Sequence, residues 1–114
     1  MIRNVTRNTI VARSFVTCST FWEQTRGLMF RKKVIPLLFV FPKEQRFRLH
    51  SWFCPGPIDL IFLDASWEVV ELKSEWKRYG SYSSLRDAMF LLELPAGSIA
   101  QSRTEVGDIL NIKR

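Results

Sequence analysis

Histidine is nearly absent from this 114-residue chain, which has one, His50, and only two cysteines, Cys18 and Cys54. The cysteines stand far apart, form no Cys-x-x-Cys pair and join no histidine set, so they read as two buried thiols and no metal or cofactor is expected. Long apolar runs are missing as well. The longest, residues 37–41 and 60–63, fall far short of the roughly 20 residues of a membrane helix. Residues 1–20 spread Arg3, Arg7 and Arg13 among short apolar groups without the continuous apolar stretch of an export signal. A cytoplasmic protein without a membrane partner is expected. Fixed-period repeats, low-complexity tracts and polar linkers are lacking too, which leaves one domain over residues 1–114. No complete catalytic triad, phosphate loop or metal-ligand cluster can be read anywhere, so no residue is assigned as catalytic.

What the chain does hold is apolar material: 46% hydrophobic residues, with 9 Phe and 4 Trp. A chain of this size buries roughly two-thirds of its unfolded surface, enough for a core without a staple. Short β-type segments dominate, at residues 9–16, 37–41, 47–52, 58–64, 67–73, 89–94 and 108–112, punctuated by Pro, Gly, Ser or Asp. The continuous run 37–41, ended by Pro42, reads as a central strand. Helix is the minority. Thr20 and Glu23 form a capping box, and Gly27 suits a left-handed end, which predicts one short helix over residues 20–27. A shorter helical turn near residues 84–88 is also expected. The fold class is mainly β (β-rich α+β): a single compact antiparallel sandwich or barrel-like sheet with one short helix.

Charge is lopsided, at +6 with an isoelectric point near 9.8. A clustered basic face would release counterions from nucleic acid. Here Arg26, Arg31, Lys32 and Lys33, then Lys43, Arg46 and Arg48, then Lys73, Lys77 and Arg78 are interleaved or flanked by Glu23, Glu44, Glu71 and Glu75. That mixture favours an ordinary basic exterior over an anion site or a nucleic-acid face.

The segment from His50 to Asp64 places three polar residues, His50, Asp59 and Asp64, in an otherwise apolar stretch. Polar groups taken from water need partners, so this is the candidate site. Reading residues 53–56 as a four-residue turn makes residues 47–52 and 57–64 a hairpin. Its register sets His50 across from Asp59, with Cβ atoms about 5 Å apart. A carboxylate so placed fixes the tautomer of the imidazole and raises its basicity, the orienting half of a general-base site. No nucleophile accompanies it: Ser51 faces the other way, and Cys54 lies in the turn. The plainer alternatives are a buried structural His50–Asp59 pair, or an Asp59 that caps a turn or accepts backbone N–H groups. Asp64 and Asp108 read as turn initiators, with Asp64 kept as a candidate.

Five short motifs occur in order: Gly27-Leu28-Met29-Phe30-Arg31, Leu38-Phe39-Val40-Phe41-Pro42, His50 with residues 57–64, Leu92-Glu93-Leu94-Pro95-Ala96-Gly97, and Val106-Gly107-Asp108. Together they resemble the domain-of-unknown-function family 192, in its archaeal type, where a histidine precedes the Pro-Ile-Asp motif. The chain departs from that pattern at Cys54-Pro55-Gly56 and at Trp67, where a glycine is common. The resemblance implies a compact, mostly β single domain with no agreed reaction, cofactor or substrate. Within it Arg31 would meet a carboxylate or a ligand anion. Pro95 would end a strand, and Gly97 would take a positive φ. The function that fits is a non-catalytic binding module whose groove beside His50, Trp52 and Arg31 holds a small polar or anionic ligand or a protein segment. Alternatives are a hydrolase-like enzyme using His50 with Asp59 and Asp64, or nucleic-acid binding through Arg26, Arg31, Lys32, Lys33, Arg46 and Arg48. A monomer or weak dimer is expected.

Overall fold

In the computed structural model, residues 1–18, 34–50, 56–77 and 81–113 are described, His50 by its backbone alone. Among them, strand is the rule. A five-stranded sheet has the order β3 (Val16–Cys18), β4 (Leu37–Gln45), β9 (Ala88–Pro95), β6 (Ile58–Leu63), β7 (Val69–Trp76). A three-stranded sheet runs β10 (Leu110–Ile112), β1 (Ile2–Asn4), β2 (Thr9–Ala12), and β5 (Arg48–His50) pairs with β8 (Ser81–Ser83) as a separate ribbon. One helix, α1 (Ser98–Ser102), follows β9. Among the described residues no helix is long and apolar enough to cross a membrane.

The mainly β reading holds, with one correction of direction. The pairs are antiparallel except β3 with β4, which is parallel. The expected strand at residues 9–16 is two strands in different sheets, because the chain crosses between layers at residues 13–15. Pro42 does not stop β4: the ladder to β9 shifts register between Val40 and Gln45, and at such an irregularity the missing N–H costs no ladder bond. The expected helical turn at 84–88 is absent, since Ala88 already opens β9 and Ser84 Oγ accepts from the Phe47 N–H at 2.8 Å. The helix expected over residues 20–27 lies outside the described residues.

All six residues of β6 are buried, the pattern of a strand covered on both faces rather than one that alternates in and out of water. One face packs Ile61, Leu63, Leu92, Leu94, Leu38 and Phe90 against Ile2, Val11 and Leu110 of the smaller sheet. The two sheets meet beside β7, where Leu110 N–H donates to the Trp67 carbonyl at 3.0 Å and Val69 N–H to the Asp108 carbonyl at 2.8 Å. On the opposite face Leu60, Phe62, Leu37, Phe39 and Leu91 are covered in part by the β5–β8 ribbon. Phe62 stacks on Tyr82 at 5.9 Å between ring centroids and meets Phe47 at 5.8 Å.

Both edges of β6 are therefore taken, by β7 and β9, and no edge remains for β5. The expected hairpin of residues 47–52 with 57–64 does not form. In the ladders His50 stands opposite Ser81, and Asp59 opposite Leu94, so the two are not cross-strand neighbours.

The strand expected from residue 67 begins at Val69 instead, because Trp67 sits in the preceding turn with φ 66°. Left-handed backbone suits glycine and costs other residues about 1 kcal/mol. Its ring lies on Phe90, centroids 3.7 Å apart and planes 12° from parallel, an attraction a glycine would forgo.

Candidate functional site

Asp59 is fully buried on β6. Its Oδ1 accepts from the Glu75 N–H and its Oδ2 from the Ile99 N–H, each at 2.8 Å. The first bond holds β7 where Glu75 adopts φ 51°. The second supplies an acceptor to the first turn of α1, whose N-cap, Gly97 at φ 96°, has no side chain to offer. Both oxygens thus accept from backbone donors, and the carboxylate is a clasp between three elements. Accepting backbone N–H groups was the plainer reading of this residue in the sequence.

Asp64 is also a turn residue. Its Oδ1 accepts from the Ser66 N–H at 2.8 Å and the Glu68 N–H at 3.0 Å. It borders a concavity of about 400 Å³ with Glu44, Glu68, Asp87 and Arg86, an acidic hollow on a basic chain. These acids are engaged locally: Glu44 accepts from the Ala65 N–H at 3.2 Å, and Asp87 pairs with Arg46 at 3.1 Å. Among the described residues no group of His, Cys, Asp and Glu is arranged to hold a metal ion. Of the other nominated residues, Arg31 and Trp52, like the His50 side chain, lie outside the described residues. Asp59 and Asp64 do not come together.

Two further carboxylates are consumed by the fold. Glu71, buried on β7, accepts from the Leu85 and Arg86 N–H groups at 2.8 and 2.9 Å and from the Tyr82 hydroxyl. Burial, and then that bond to Glu71, push the Tyr82 hydroxyl up to about 12. Asp108 accepts from Asn4 Nδ2 at 2.9 Å, Arg7 Nε at 3.1 Å and the Glu105 N–H at 2.9 Å. Burial acts to raise the Asp108 carboxyl, but these donors and the Arg7 charge outweigh it and hold the group below its ordinary value.

Glu93 is different. It lies on β9 between Leu37 of β4 and Leu60 of β6, both fully buried, and beyond Leu60 the same row continues to Lys73 of β7. Two strand spacings of about 4.8 Å separate Glu93 from Lys73 in that row. The ammonium of Lys73 sits over the Tyr82 ring, 5.9 Å from its centroid. The Glu93 side chain is half-buried, and loss of hydration pushes its carboxyl up to about 7. No described residue gives it a hydrogen bond or an ion pair. Sequence reasoning passed over Glu93, treating its motif as a strand running into a turn. The available signal was the argument applied to Asp59: one charged residue inside an apolar β segment.

The family model DUF192, described as "Uncharacterized ACR, COG1430", matches residues 3–112. A UPF0127 protein of Pyrococcus furiosus is 36% identical over 113 residues, 97% of this chain and 97% of that protein. Another, from Thermococcus sibiricus, is 34% identical over 111 residues, 95% of this chain and 71% of that protein. A solved protein of unknown function from Novosphingobium aromaticivorans is similar with a TM-score of 0.78 and 20% identity, over 86% of this chain and 74% of that one. A Sinorhizobium meliloti protein described as a candidate transcription regulator has a TM-score of 0.79 at 19% identity, over 85% and 79%. At such identities the likeness concerns the fold alone.

Proposed function

We propose that this chain, which belongs to the DUF192 family of uncharacterized proteins, is a cytoplasmic binding module for a small polar ligand, anchored by Glu93. One contrast carries the reading. Asp59, Glu71 and Asp108 each accept two or more hydrogen bonds from the protein, whereas Glu93 receives none from the described residues, and its carboxyl is pushed up to about 7 by desolvation. A carboxyl in that condition weakens the fold, and a perturbed, partly exposed group on an apolar face is the mark of a site. The complementary ligand presents an amine or amide N–H to this carboxyl.

The test is a thermal-shift screen of small amines and amides on the parent and on Glu93→Gln. Compounds that raise the parent's melting temperature should lose most of that effect in the variant, since glutamine keeps the shape and removes the charge. Equal shifts in both proteins would overturn the assignment. A carboxyl titrating near neutrality also suits general acid–base work. Turnover of a bound compound that follows a single ionisation near 7 and vanishes in Glu93→Gln would make the module an enzyme.

A further inference from the structure

Strand β3 ends the five-stranded sheet, pairing with β4 on one side and with no described strand on the other. Val16 N–H donates to the Pro36 carbonyl at 3.0 Å, so Val16 faces β4. In a parallel ladder alternate residues turn their backbone groups to opposite edges, which directs the N–H and C=O of Thr17 outward. Natural sheets guard such edges with lysine, proline or a covering element. Here the edge carries Val16, 43% exposed, with Met1, 40% exposed, nearby.

A concavity of about 350 Å³ lies beside this edge, lined by Met1, Arg13, Ser14, Phe15 and Thr17. Arg13 is exposed. Arg3, Arg7 and Arg46 bond to Asn8, Asp108 and Asp87, but Arg13 has no acceptor among the described residues. An outward-facing backbone, an apolar hollow and an uncommitted guanidinium therefore share one rim.

We infer that the β3 edge is a docking surface for an extended acidic peptide segment of another protein, added as a further strand. The backbone of the segment would pair with Thr17, a carboxylate would meet Arg13, and an apolar side chain would enter the hollow beside Phe15 and Met1. Charge decides against a second copy as the occupant. Two copies meeting at this edge would each bring a net charge of +6 and an exposed Arg13 to the contact.

Fluorescence anisotropy with a labelled peptide alternating Glu and Val, and with its Lys–Val counterpart, tests the inference. The parent should bind the Glu–Val peptide and ignore the Lys–Val one. Arg13→Glu, at an exposed position that spares the fold, should weaken the first by about tenfold and admit the second. Thr17→Pro, which deletes the outward N–H, should abolish binding while Thr17→Val retains it. The inference is overturned if the parent fails to bind the Glu–Val peptide at millimolar concentration, or if Arg13→Glu binds it as well as the parent. A concentration-dependent dimer of the parent that Arg13→Glu strengthens would also overturn it, giving the edge to a second copy.

Discussion

Substituting Glu93 by glutamine should stabilise this protein, and do so only above acidic pH. The carboxyl rises from an ordinary 4.5 to about 7 because the fold strips its hydration. Since its affinity for a proton is greater folded than unfolded, stability is highest where the group is protonated in both states, below 4.5. It declines as pH rises from 4.5 to 7 and stays level above. At 1.36 kcal/mol per pKa unit, the full rise corresponds to about 3 kcal/mol of destabilisation at pH 8. Glu93 keeps part of its surface in water, which reduces that figure, so a gain of about 1–3 kcal/mol is expected for the neutral isostere. With about 4 °C per kcal/mol for a domain of this size, the variant should melt on the order of 4–12 °C above the parent at pH 8. At pH 4 the two should coincide. Urea or thermal melts at half-unit steps between pH 4 and 8 read the difference directly, and the titrations of all other carboxyls cancel in it. A variant less stable than the parent at pH 8 would mean that the ionised carboxyl has a donor. A difference that ignores pH would mean that the carboxyl does not titrate in this window. Either result refutes the desolvation argument and, with it, the ground for placing a ligand there.

Asp59→Ala should cost about 3–5 kcal/mol in urea unfolding, because the Glu75 and Ile99 N–H groups lose a charged acceptor, and Asp59→Asn about half as much, because one oxygen remains. Trp67→Gly should cost about 1–2 kcal/mol, the lost stack on Phe90 outweighing the relieved φ, and Trp67→Ala about 1 kcal/mol more, since alanine loses the stack and keeps the strained backbone. A glycine variant as stable as the parent would show that the stack contributes nothing. Arg7→Met should move acid unfolding to higher pH. Asp108, held below its ordinary 3.8, contributes stability above that value which is lost as pH falls through its folded one, and without Arg7 that loss comes earlier. Circular dichroism across a pH titration measures the onset, and an unchanged onset would refute the coupling.

The strands were legible because their apolar runs are short and bounded by Pro, Gly and Asp, and the continuous run 37–41 marked β4 as an interior strand, paired on both edges. Which strands pair was not legible. The hairpin joining β5 to β6 was the economical connection for neighbours in sequence, yet β6 offers two edges and both go to strands that pair along most of its length, six residues in the case of β9. The three-residue β5 is left to find β8. Local turn chemistry at residues 53–56 cannot report a competition decided by residues 88–95. Trp67 reads in the sequence as the start of a strand, although the glycine common at that place in the family is a cue to the left-handed backbone it adopts.

Asp59 and Glu93 pose the same puzzle in the sequence, a carboxylate inside an apolar strand, and the sheet resolves it in opposite ways. Asp59 pairs with Leu94 and Glu93 with Leu60, so the two acids sit on adjacent strands with their side chains on opposite faces. Asp59 shares its face with the core closed by the smaller sheet, within reach of α1 and the irregular end of β7, whose backbone N–H groups lack ladder partners. Glu93 shares its face with the leucines and phenylalanines beneath the β5–β8 ribbon, and no described residue donates to it. The difference between clasp and site therefore depends on one residue of register. A slip by one along β9 would turn Glu93 to the face that Asp59 already occupies. Substitutions at Asp59 should consequently be read in the folding equilibrium, and those at Glu93 in ligand affinity and in the pH dependence of stability.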